Sequence, residues 1–227
     1  MKKLICIEDD PVTQMMIRKA LGENFILTLT STLDETITRL ASDKFDLALV
    51  DLSLPDGNGQ HLCQYIRNRT DLSNLPIIVV SAESRPEQKI QMLNIGADDY
   101  VTKPFMGGEL LARVNARLRP KPSEELKDQF EFAGYRADFK KNRVFAPGGL
   151  AVNLTRLEHL ILFYLIQNRE SVLSRRQVLD NIWPHSFEVS DRVVDTHVSR
   201  LRRKLGPLGD AIRSIHGVGY LFTTSPN

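Results

Sequence analysis

Length, composition and charge exclude several classes of protein. The chain has 227 residues, of which 42% are hydrophobic and 26% are charged, so collagen-like, low-complexity and disordered chains are excluded. No apolar run approaches the roughly 18 residues that span a bilayer, and the first apolar stretch ends in acidic residues after Ile7 instead of a signal-peptide cleavage site. Because Cys6 and Cys63 are the only cysteines, we expect a reducing compartment, the cytoplasm, and no membrane contact.

The charge is divided unevenly along the chain. Residues 1–120 carry 14 Lys and Arg against 16 Asp and Glu, whereas residues 121–227 carry 16 against 12. The overall net charge of +2 conceals this difference. A basic second half favours an anionic partner, although a difference of this size is weak support by itself.

The first 119 residues alternate apolar strands with amphipathic helices. Strands are predicted at Lys3–Ile7, Phe25–Thr30, Phe45–Val50, Pro76–Ser81 and Tyr100–Thr102, with helices beginning near Pro11, Leu33, Gly59, Pro86 and Gly107. Short helices between apolar strands predict an α/β fold, namely a doubly wound five-stranded parallel sheet of the flavodoxin-like type. Ligands of such sheets bind beyond the carboxyl ends of the strands.

A proline-containing segment without apolar periodicity divides the chain. We interpret residues 120–129 as a linker between two domains, 1–119 and 130–227. Strand patterns at Phe130–Ala133, Arg143–Ala146 and Ala151–Asn153 predict a small antiparallel sheet. Three helices are predicted to follow, at Thr155–Gln167, Ser174–Trp183 and Ser190–Leu205. A terminal hairpin is then predicted from Ile212–His216 and Tyr220–Thr223. A basic helix followed by a glycine-containing hairpin is typical of a winged helix-turn-helix domain.

Polar residues follow four of the predicted strands at one edge of the sheet. They are Glu8, Asp9 and Asp10 after the first strand, Asp51 after the third, Ser81 after the fourth and Lys103 after the fifth. Clustered carboxylates favour a bound cation, and Mg²⁺ prefers oxygen ligands. We assign Asp10 to the cap of the first helix, because Asp before Pro11 is a typical helix start. Asp51 has the chemistry to attack phosphorus, with Mg²⁺ and Lys103 neutralising the transferred group.

Four segments resemble the receiver domain of OmpR/PhoB-type bacterial response regulators. They are Ile5–Pro11, Leu49–Gly57, Val79–Ala82 and Gly96–Phe105, and the resemblance covers residues 2–119. It implies that a sensor histidine kinase phosphorylates Asp51, and that Mg²⁺ is bound by Glu8, Asp9, Asp51 and the backbone carbonyl of Ser53. It also implies that Ser81 and Tyr100 form a switch pair, and that Lys103 is a phosphate-binding cation preceding a cis Pro104.

The same resemblance implies a surface that pairs two phosphorylated receivers. Its intermolecular ion pairs would join Lys89 to Glu109 and Asp99 to Arg113. Asp98 would ordinarily face a basic residue, but the uncharged Asn115 stands at the matching position, so that third pair lacks its cation. Because an exposed ion pair contributes only about 0.2–1 kcal/mol, the loss should weaken a dimer modestly.

The basic helix Ser190–Leu205 carries an apolar stripe on one face, formed by Val194, Val198, Leu201 and Leu205. Four segments resemble the winged-helix effector domain of the same family over residues 130–224, namely Leu154–Glu158, Leu173–Arg175, Val194–Leu205 and Gly217–Tyr220. The predicted DNA-binding residues are Arg192, Thr196, His197, Ser199, Arg200, Arg202 and Arg203 in the helix, with Ser214, His216 and Tyr220 in the wing. Arg202 lies near the buried edge and is expected to reach phosphate.

Two predicted DNA contacts depart from the family pattern, because Ser199 and His216 stand where Arg is common. Histidine is mostly neutral at pH 7, whereas Arg is permanently charged. DNA affinity is therefore predicted to rise as the pH falls from about 7.5 to 6, near the unperturbed His pKa of about 6.5. His197 would produce the same trend.

The leading interpretation is a transcription factor switched by phosphoryl transfer, which forms a homodimer on phosphorylation and binds double-stranded promoter DNA. RNA polymerase is an expected partner through the loop Pro184–Val189, and no substrate turnover is expected beyond slow loss of the phosphoryl group. One alternative is an aspartyl-phosphate hydrolase, although Ser53 stands where such enzymes usually carry a second acid. A dinucleotide-binding oxidoreductase is disfavoured because no Gly-x-Gly-x-x-Gly follows a strand. The third is a DNA-binding regulator that needs no phosphorylation, which the complete acidic pocket disfavours.

Overall fold

Contacts between residues divide the chain into two units, Met1–Pro120 and Lys121–Asn227. The computed structural model describes residues 1–118, 129–139, 141–183 and 190–224. The predicted linker, apart from Gln129, and the predicted polymerase loop Pro184–Val189 lie outside the described residues. None of the helices in the described parts is long and apolar enough to cross a membrane.

The N-terminal unit is built on a parallel sheet. Its strands are β1 (Lys3–Ile7), β2 (Ile26–Thr30), β3 (Leu47–Val50), the short antiparallel pair β4 (Ser53–Leu54) and β5 (Gly57–Asn58), β6 (Ile77–Ser81) and β7 (Asp99–Thr102). Its helices are α1 (Pro11–Leu21), α2 (Leu33–Ser42), α3 (Gly59–Asn68), α4 (Pro86–Ile95) and α5 (Gly107–Leu118). The sheet order β2-β1-β3-β6-β7 confirms the predicted five-stranded parallel sheet.

The helices of this unit form two separate groups. Helix α1 packs against α5, whereas α3 packs against α2 and α4. Strands β3 and β6 are buried along their whole length, as expected for strands covered on both faces. The five predicted helix starts are confirmed, and side chains of Asp10, Thr32 and Asn58 cap three of them.

The C-terminal unit contains two small antiparallel sheets and three α-helices among its described residues. Its elements are β8 (Gln129–Phe132), β9 (Tyr135–Asp138), β10 (Arg143–Phe145), β11 (Ala151–Val152), α6 (Arg156–Gln167), β12 (Val172–Ser174), α7 (Arg175–Ile182), α8 (Arg192–Leu205), β13 (Ile212–Ile215) and β14 (Gly219–Phe222). The sheets run in the orders β11-β10-β9-β8 and β12-β14-β13. Helices α7 and α8 with the β13–β14 hairpin confirm the predicted winged helix-turn-helix architecture.

Two strands of this unit escaped the sequence analysis. Strand β9 is reached through a turn in which Ala133 and Gly134 have φ of 51° and 79°, whereas the sequence prediction continued the first strand through Ala133. Strand β12 has only three residues and runs directly into the Ser174 cap of α7. Runs this short carry too little periodicity to be recognised from sequence.

Candidate functional sites

The acidic cluster forms where strands β1 and β3 end side by side. Ile7 pairs with Val50, so Glu8, Asp9 and Asp51 leave the sheet at the same edge. One ligand oxygen from each of these carboxylates lies within 4.8 Å of the others. Glu8 and Asp51 are buried, whereas Asp9 is exposed. Three convergent carboxylates provide oxygen ligands of the kind that divalent cations such as Mg²⁺ prefer.

Lys103 provides the positive charge of this cluster. It follows β7, and its Nζ lies 2.6 Å from Asp51 Oδ2 and 2.6 Å from Glu8 Oε2. The Lys103–Pro104 peptide bond is cis, as the family resemblance implied. Burial raises the pKa of the Glu8 carboxyl, against the opposing effect of Lys103. Burial alone would lower the pKa of Lys103, but its hydrogen bonds to Asp51 and Glu8 raise it, so the ammonium form is favoured.

The loop after β3 is held close to Asp51 by its backbone. The amide of Ser53 donates a hydrogen bond to Asp51 Oδ1 at 3.2 Å, while the Ser53 side chain is exposed. Gly59 is required at the start of α3, because a Cβ there would lie 1.8 Å from the Asp51 carbonyl oxygen. The Asp56 carboxylate accepts a hydrogen bond from the Leu33 amide at 2.7 Å, which ties the loop to the start of α2.

Asp10 belongs to the helix cap, as the sequence analysis assigned it. Its carboxylate accepts hydrogen bonds from the amides of Val12 and Thr13 at 3.3 and 2.9 Å, and from the Thr13 hydroxyl at 2.6 Å. The Thr13 hydrogen bonds hold the pKa of Asp10 below its usual value. This carboxylate is therefore engaged by α1.

Ser81 and Tyr100 lie on the neighbouring strands β6 and β7. Ser81 Oγ accepts a hydrogen bond from the Glu83 amide at 3.3 Å. The Tyr100 hydroxyl donates to the carbonyl oxygen of Glu83 at 2.7 Å, and the ring is buried. Glu83 thus connects the two side chains that the sequence analysis paired as a switch.

The structure contradicts one of the predicted dimer residues. Asp98 is fully buried, and its Oδ2 accepts hydrogen bonds from Arg67 Nη2 at 2.8 Å and from the Ile77 amide at 2.9 Å. Its charge is therefore satisfied inside the N-terminal unit, and Asp98 is not a surface residue that pairs with a second copy. The prediction that Asp98 belongs to the dimer surface is wrong, because Asp98 is buried against Arg67, which lies 31 residues away in the sequence.

The other predicted dimer residues lie on or near α4 and α5, and three of them already pair with one another. Arg113 donates to Asp99 Oδ1 at 3.0 Å and to Glu109 Oε1 at 2.9 Å. Arg117, which the sequence analysis did not consider, donates to Asp99 Oδ2 at 3.2 Å. If Arg113 paired with a second copy, it would therefore give up the ion pairs that it makes within its own chain.

Helix α8 separates its apolar stripe from a polar face as predicted. Val194, Val198, Leu201 and Leu205 are buried. On the polar face and in the hairpin, exposed predicted contacts are Arg192, Ser199, Arg203, Ser214 and His216, and half-buried ones are Thr196 and Arg200. Strand β14 approaches β12 closely, since a Cβ on Gly219 would lie 2.0 Å from the Leu173 carbonyl oxygen.

Three predicted DNA contacts have different surroundings from those expected. His197 is 2% exposed, with its ring centroid 5.4 Å from that of Trp183. Tyr220 is 4% exposed, and its hydroxyl donates to Asp195. Arg202 donates to the carbonyl oxygen of Ile212 and to Ser214 Oγ. The structure therefore does not present His197 or Tyr220 as surface contacts, and Arg202 is engaged by the hairpin.

A sequence signal for the burial of His197 existed. Positions 194, 197, 198 and 201 follow the i, i+3, i+4, i+7 spacing of a buried helical face. Asp195 is the single acidic residue of α8. Arg67 and Arg175 gave no comparable signal, because their partners Asp98 and Asp195 are 31 and 20 residues away.

Comparisons with known proteins agree with this architecture. Residues 4–115 match the family described as "Response regulator receiver domain", and residues 149–222 match "Transcriptional regulatory protein, C terminal". The chain is 36% identical to the response regulator ArlR of Staphylococcus saprophyticus, over 97% of this chain and 99% of the relative. It is 35% identical to the phosphate regulon transcriptional regulatory protein PhoB of Rhizobium meliloti, over 96% and 97%.

Solved structures give the same result. The crystal structure of DrrB, described as a Thermotoga maritima OmpR/PhoB homolog, has a TM-score of 0.51 and 30% identity, covering 98% of this chain and 99% of DrrB. A doubly wound receiver with an acidic cluster, together with a winged-helix unit, defines a two-domain signalling regulator. The chain belongs to the OmpR/PhoB-type response regulators, which are DNA-binding transcriptional regulators of two-component systems and act with a histidine kinase.

Proposed function

We propose that Asp51 is the phosphoacceptor of this regulator and that Glu8, Asp9, Asp51 and the Ser53 carbonyl hold Mg²⁺. The observation that carries the proposal is the convergence of three carboxylates within 4.8 Å, with the Lys103 ammonium 2.6 Å from Asp51. When bound, Mg²⁺ supplies positive charge to the oxygens of the phosphoryl group.

The side chains around Asp51 have separate roles in phosphoryl transfer. An Asp51 carboxylate oxygen forms the new P–O bond, and the P–N bond to the kinase histidine breaks with its electron pair remaining on the imidazole. Lys103 neutralises charge on the transferred group, and its raised pKa keeps it protonated. Ser81 donates its hydroxyl to a phosphoryl oxygen, which withdraws Oγ from the Glu83 amide.

This movement transmits a change at Ser81 to Tyr100. Glu83 is bonded to Ser81 through its amide and to Tyr100 through its carbonyl, so a change at one side chain moves the backbone that holds the other. Tyr100 adjoins Asp99, whose carboxylate pairs with Arg113. Phosphorylation then favours a homodimer in which Arg113 pairs with Asp99, and Lys89 with Glu109, of a second copy.

The dimer presents two copies of α8 to promoter DNA. Arg192, Ser199, Arg203, Ser214 and His216 are the contacts that their exposure supports, with Thr196 and Arg200 at the edge of the same face. Arg202 supports the hairpin. The protein acts in the cytoplasm, contacts RNA polymerase once bound to DNA, and turns over no substrate beyond slow hydrolysis of its own acyl phosphate.

The test is intact mass and oligomer size after incubation with Mg²⁺ and acetyl phosphate. We expect one added phosphoryl group and a dimer for the parent, and neither for Asp51→Asn. The matched control is Asp43→Asn, since Asp43 is an exposed Asp at the end of α2 and should leave both results unchanged.

A parent that gains no phosphoryl group, with acetyl phosphate or with a phosphorylated histidine kinase, would contradict the phosphoacceptor role. Selection of duplexes from a random-sequence pool would then decide whether the chain is a DNA-binding regulator that needs no phosphorylation. The same selection with phosphorylated parent protein supplies the operator.

A further inference from the structure

Tyr220 links the hairpin β13–β14, the wing, to helix α8. It lies opposite Ser214 in the hairpin, and its ring is buried. Its hydroxyl donates a hydrogen bond to Asp195 Oδ1 in α8. Burial and the Asp195 carboxylate raise the pKa of Tyr220 to about 12, which keeps the hydroxyl protonated as a donor.

Two guanidinium groups complete the link. Arg175, the first residue of α7, donates from Nε to the same Asp195 oxygen at 2.7 Å, and its Cζ lies 5.3 Å from the centroid of the Tyr220 ring. Arg202 Cζ lies 5.5 Å from that centroid, and Arg202 also donates to the Ile212 carbonyl at 2.9 Å. Both distances lie within the range of cation–π attraction.

The carboxylate of Asp195 places a negative charge on an otherwise basic helix. It is the single acid in α8, which carries Arg192, Arg200, Arg202, Arg203 and Lys204. On a helix that meets phosphates, a carboxylate by itself weakens binding through repulsion. Its contacts with Arg175 and Tyr220 give it a different role, because they join α7, α8 and the wing at one oxygen atom.

We propose that Asp195 and Tyr220 are positioning residues that fix the wing relative to α8 for DNA binding, without contacting DNA themselves. This inference rests on the proposed DNA interface. It predicts that removing the single acidic charge of α8 weakens DNA binding, whereas a purely electrostatic role of Asp195 predicts the reverse.

The experiment measures DNA affinity of the full-length chain by fluorescence anisotropy, for the parent, Asp195→Ala, Tyr220→Phe and the double variant. The probes are the duplex that the parent selects from a random pool and a duplex of unrelated sequence, each at several salt concentrations. The matched controls are Asp210→Ala, which removes an exposed acid of the same unit, and Tyr164→Phe, which removes a half-buried hydroxyl on α6.

We expect both single variants to bind the selected duplex about tenfold more weakly, the effect of losing a hydrogen bond to a charged group. The double variant should be no weaker than the worse single variant, because both remove the same link. The slope of log affinity against log salt concentration should fall in magnitude by about one, because the displaced wing would lose about one phosphate contact. Helix propensity would act in the opposite direction, since Ala favours a helix more than Asp.

A second measurement does not require DNA. Amide hydrogen exchange in residues 212–222 should become faster in Asp195→Ala and Tyr220→Phe, while exchange in α6 stays unchanged. Tyr220→Phe removes one oxygen atom and keeps the ring, so it remains informative if Asp195→Ala loses stability.

Folded variants that bind the selected duplex as tightly as the parent, or more tightly, would overturn the positioning role. A parent that binds no duplex would instead overturn the proposed DNA-binding function. DNA binding by the parent protein therefore distinguishes these two outcomes.

Discussion

His159 makes the stability of the C-terminal unit depend on pH. Its side chain is 4% exposed on α6, Nδ1 lies 3.1 Å from the Thr155 carbonyl oxygen, and the ring centroid lies 5.7 Å from that of Phe163. Burial lowers the pKa of His159 from 6.5 to about 4, against the smaller opposing effect of its backbone hydrogen bond. Folding therefore favours the neutral imidazole.

The sign follows from proton binding in the two states. Because the folded pKa lies below the unfolded pKa, the unfolded chain binds more protons between pH 6.5 and 4. The free energy of unfolding is therefore highest above pH 6.5 and falls as the pH drops through this window. At about 1.36 kcal/mol per pKa unit, the loss is about 3 kcal/mol when complete and about 2 kcal/mol at pH 5.

The assay is urea unfolding of the parent and of His159→Gln at pH 7.5 and pH 5. Trp183 is the single tryptophan of the chain and is buried in the C-terminal unit, so its fluorescence reports unfolding of that unit. Between pH 7.5 and 5 the parent should lose about 2 kcal/mol more than the variant. The control is His216→Gln, whose parent side chain is exposed. Equal losses in parent and His159→Gln would refute the reasoning.

Two further predictions concern the other unit and the wing. Asp98→Ala should destabilise the N-terminal unit by about 3–5 kcal/mol, because it leaves the buried guanidinium of Arg67 without its carboxylate; an unchanged melting curve by circular dichroism, with the fold retained, would contradict this. DNA affinity at pH 7.5 should be higher in His216→Arg than in the parent, because Arg adds a permanent positive charge to the exposed hairpin. Equal affinities of the parent and His216→Arg, measured by fluorescence anisotropy at one salt concentration, would contradict this.

Much of the acidic site could be predicted because strand direction places its residues at one edge of the sheet. Parallel strands end at one edge, so residues after Ile7, Val50 and Thr102 lie at the same edge of the sheet whichever order the strands take. The helix starts also depend on local sequence, since Pro11 and Pro86 occupy first-turn positions and Asp10 supplies a cap within three residues. These features need no knowledge of distant contacts.

Ion-pair partners could not be predicted in the same way. Asp98 and Asp99 are adjacent in sequence, yet one pairs with Arg67 of α3 and the other with Arg113 and Arg117 of α5. Asp98 directly precedes β7 and Asp99 begins it, and their side chains meet cations from different helices. The assignment of Asp98 to the dimer surface failed for that reason.

The sequence by itself predicted the two-domain organisation. It also determined the parallel sheet, the edge that carries Asp51, and the basic helix with its apolar stripe. Periodicity, capping residues and strand ends are local properties, so they can be read without tertiary contacts. Tertiary structure alone decided that Asp98 is internal, that His197 packs on Trp183, and that Tyr220 bonds to Asp195. Each of these depends on which elements meet in space, and a buried charge or hydroxyl takes the partner that packing brings within hydrogen-bond distance.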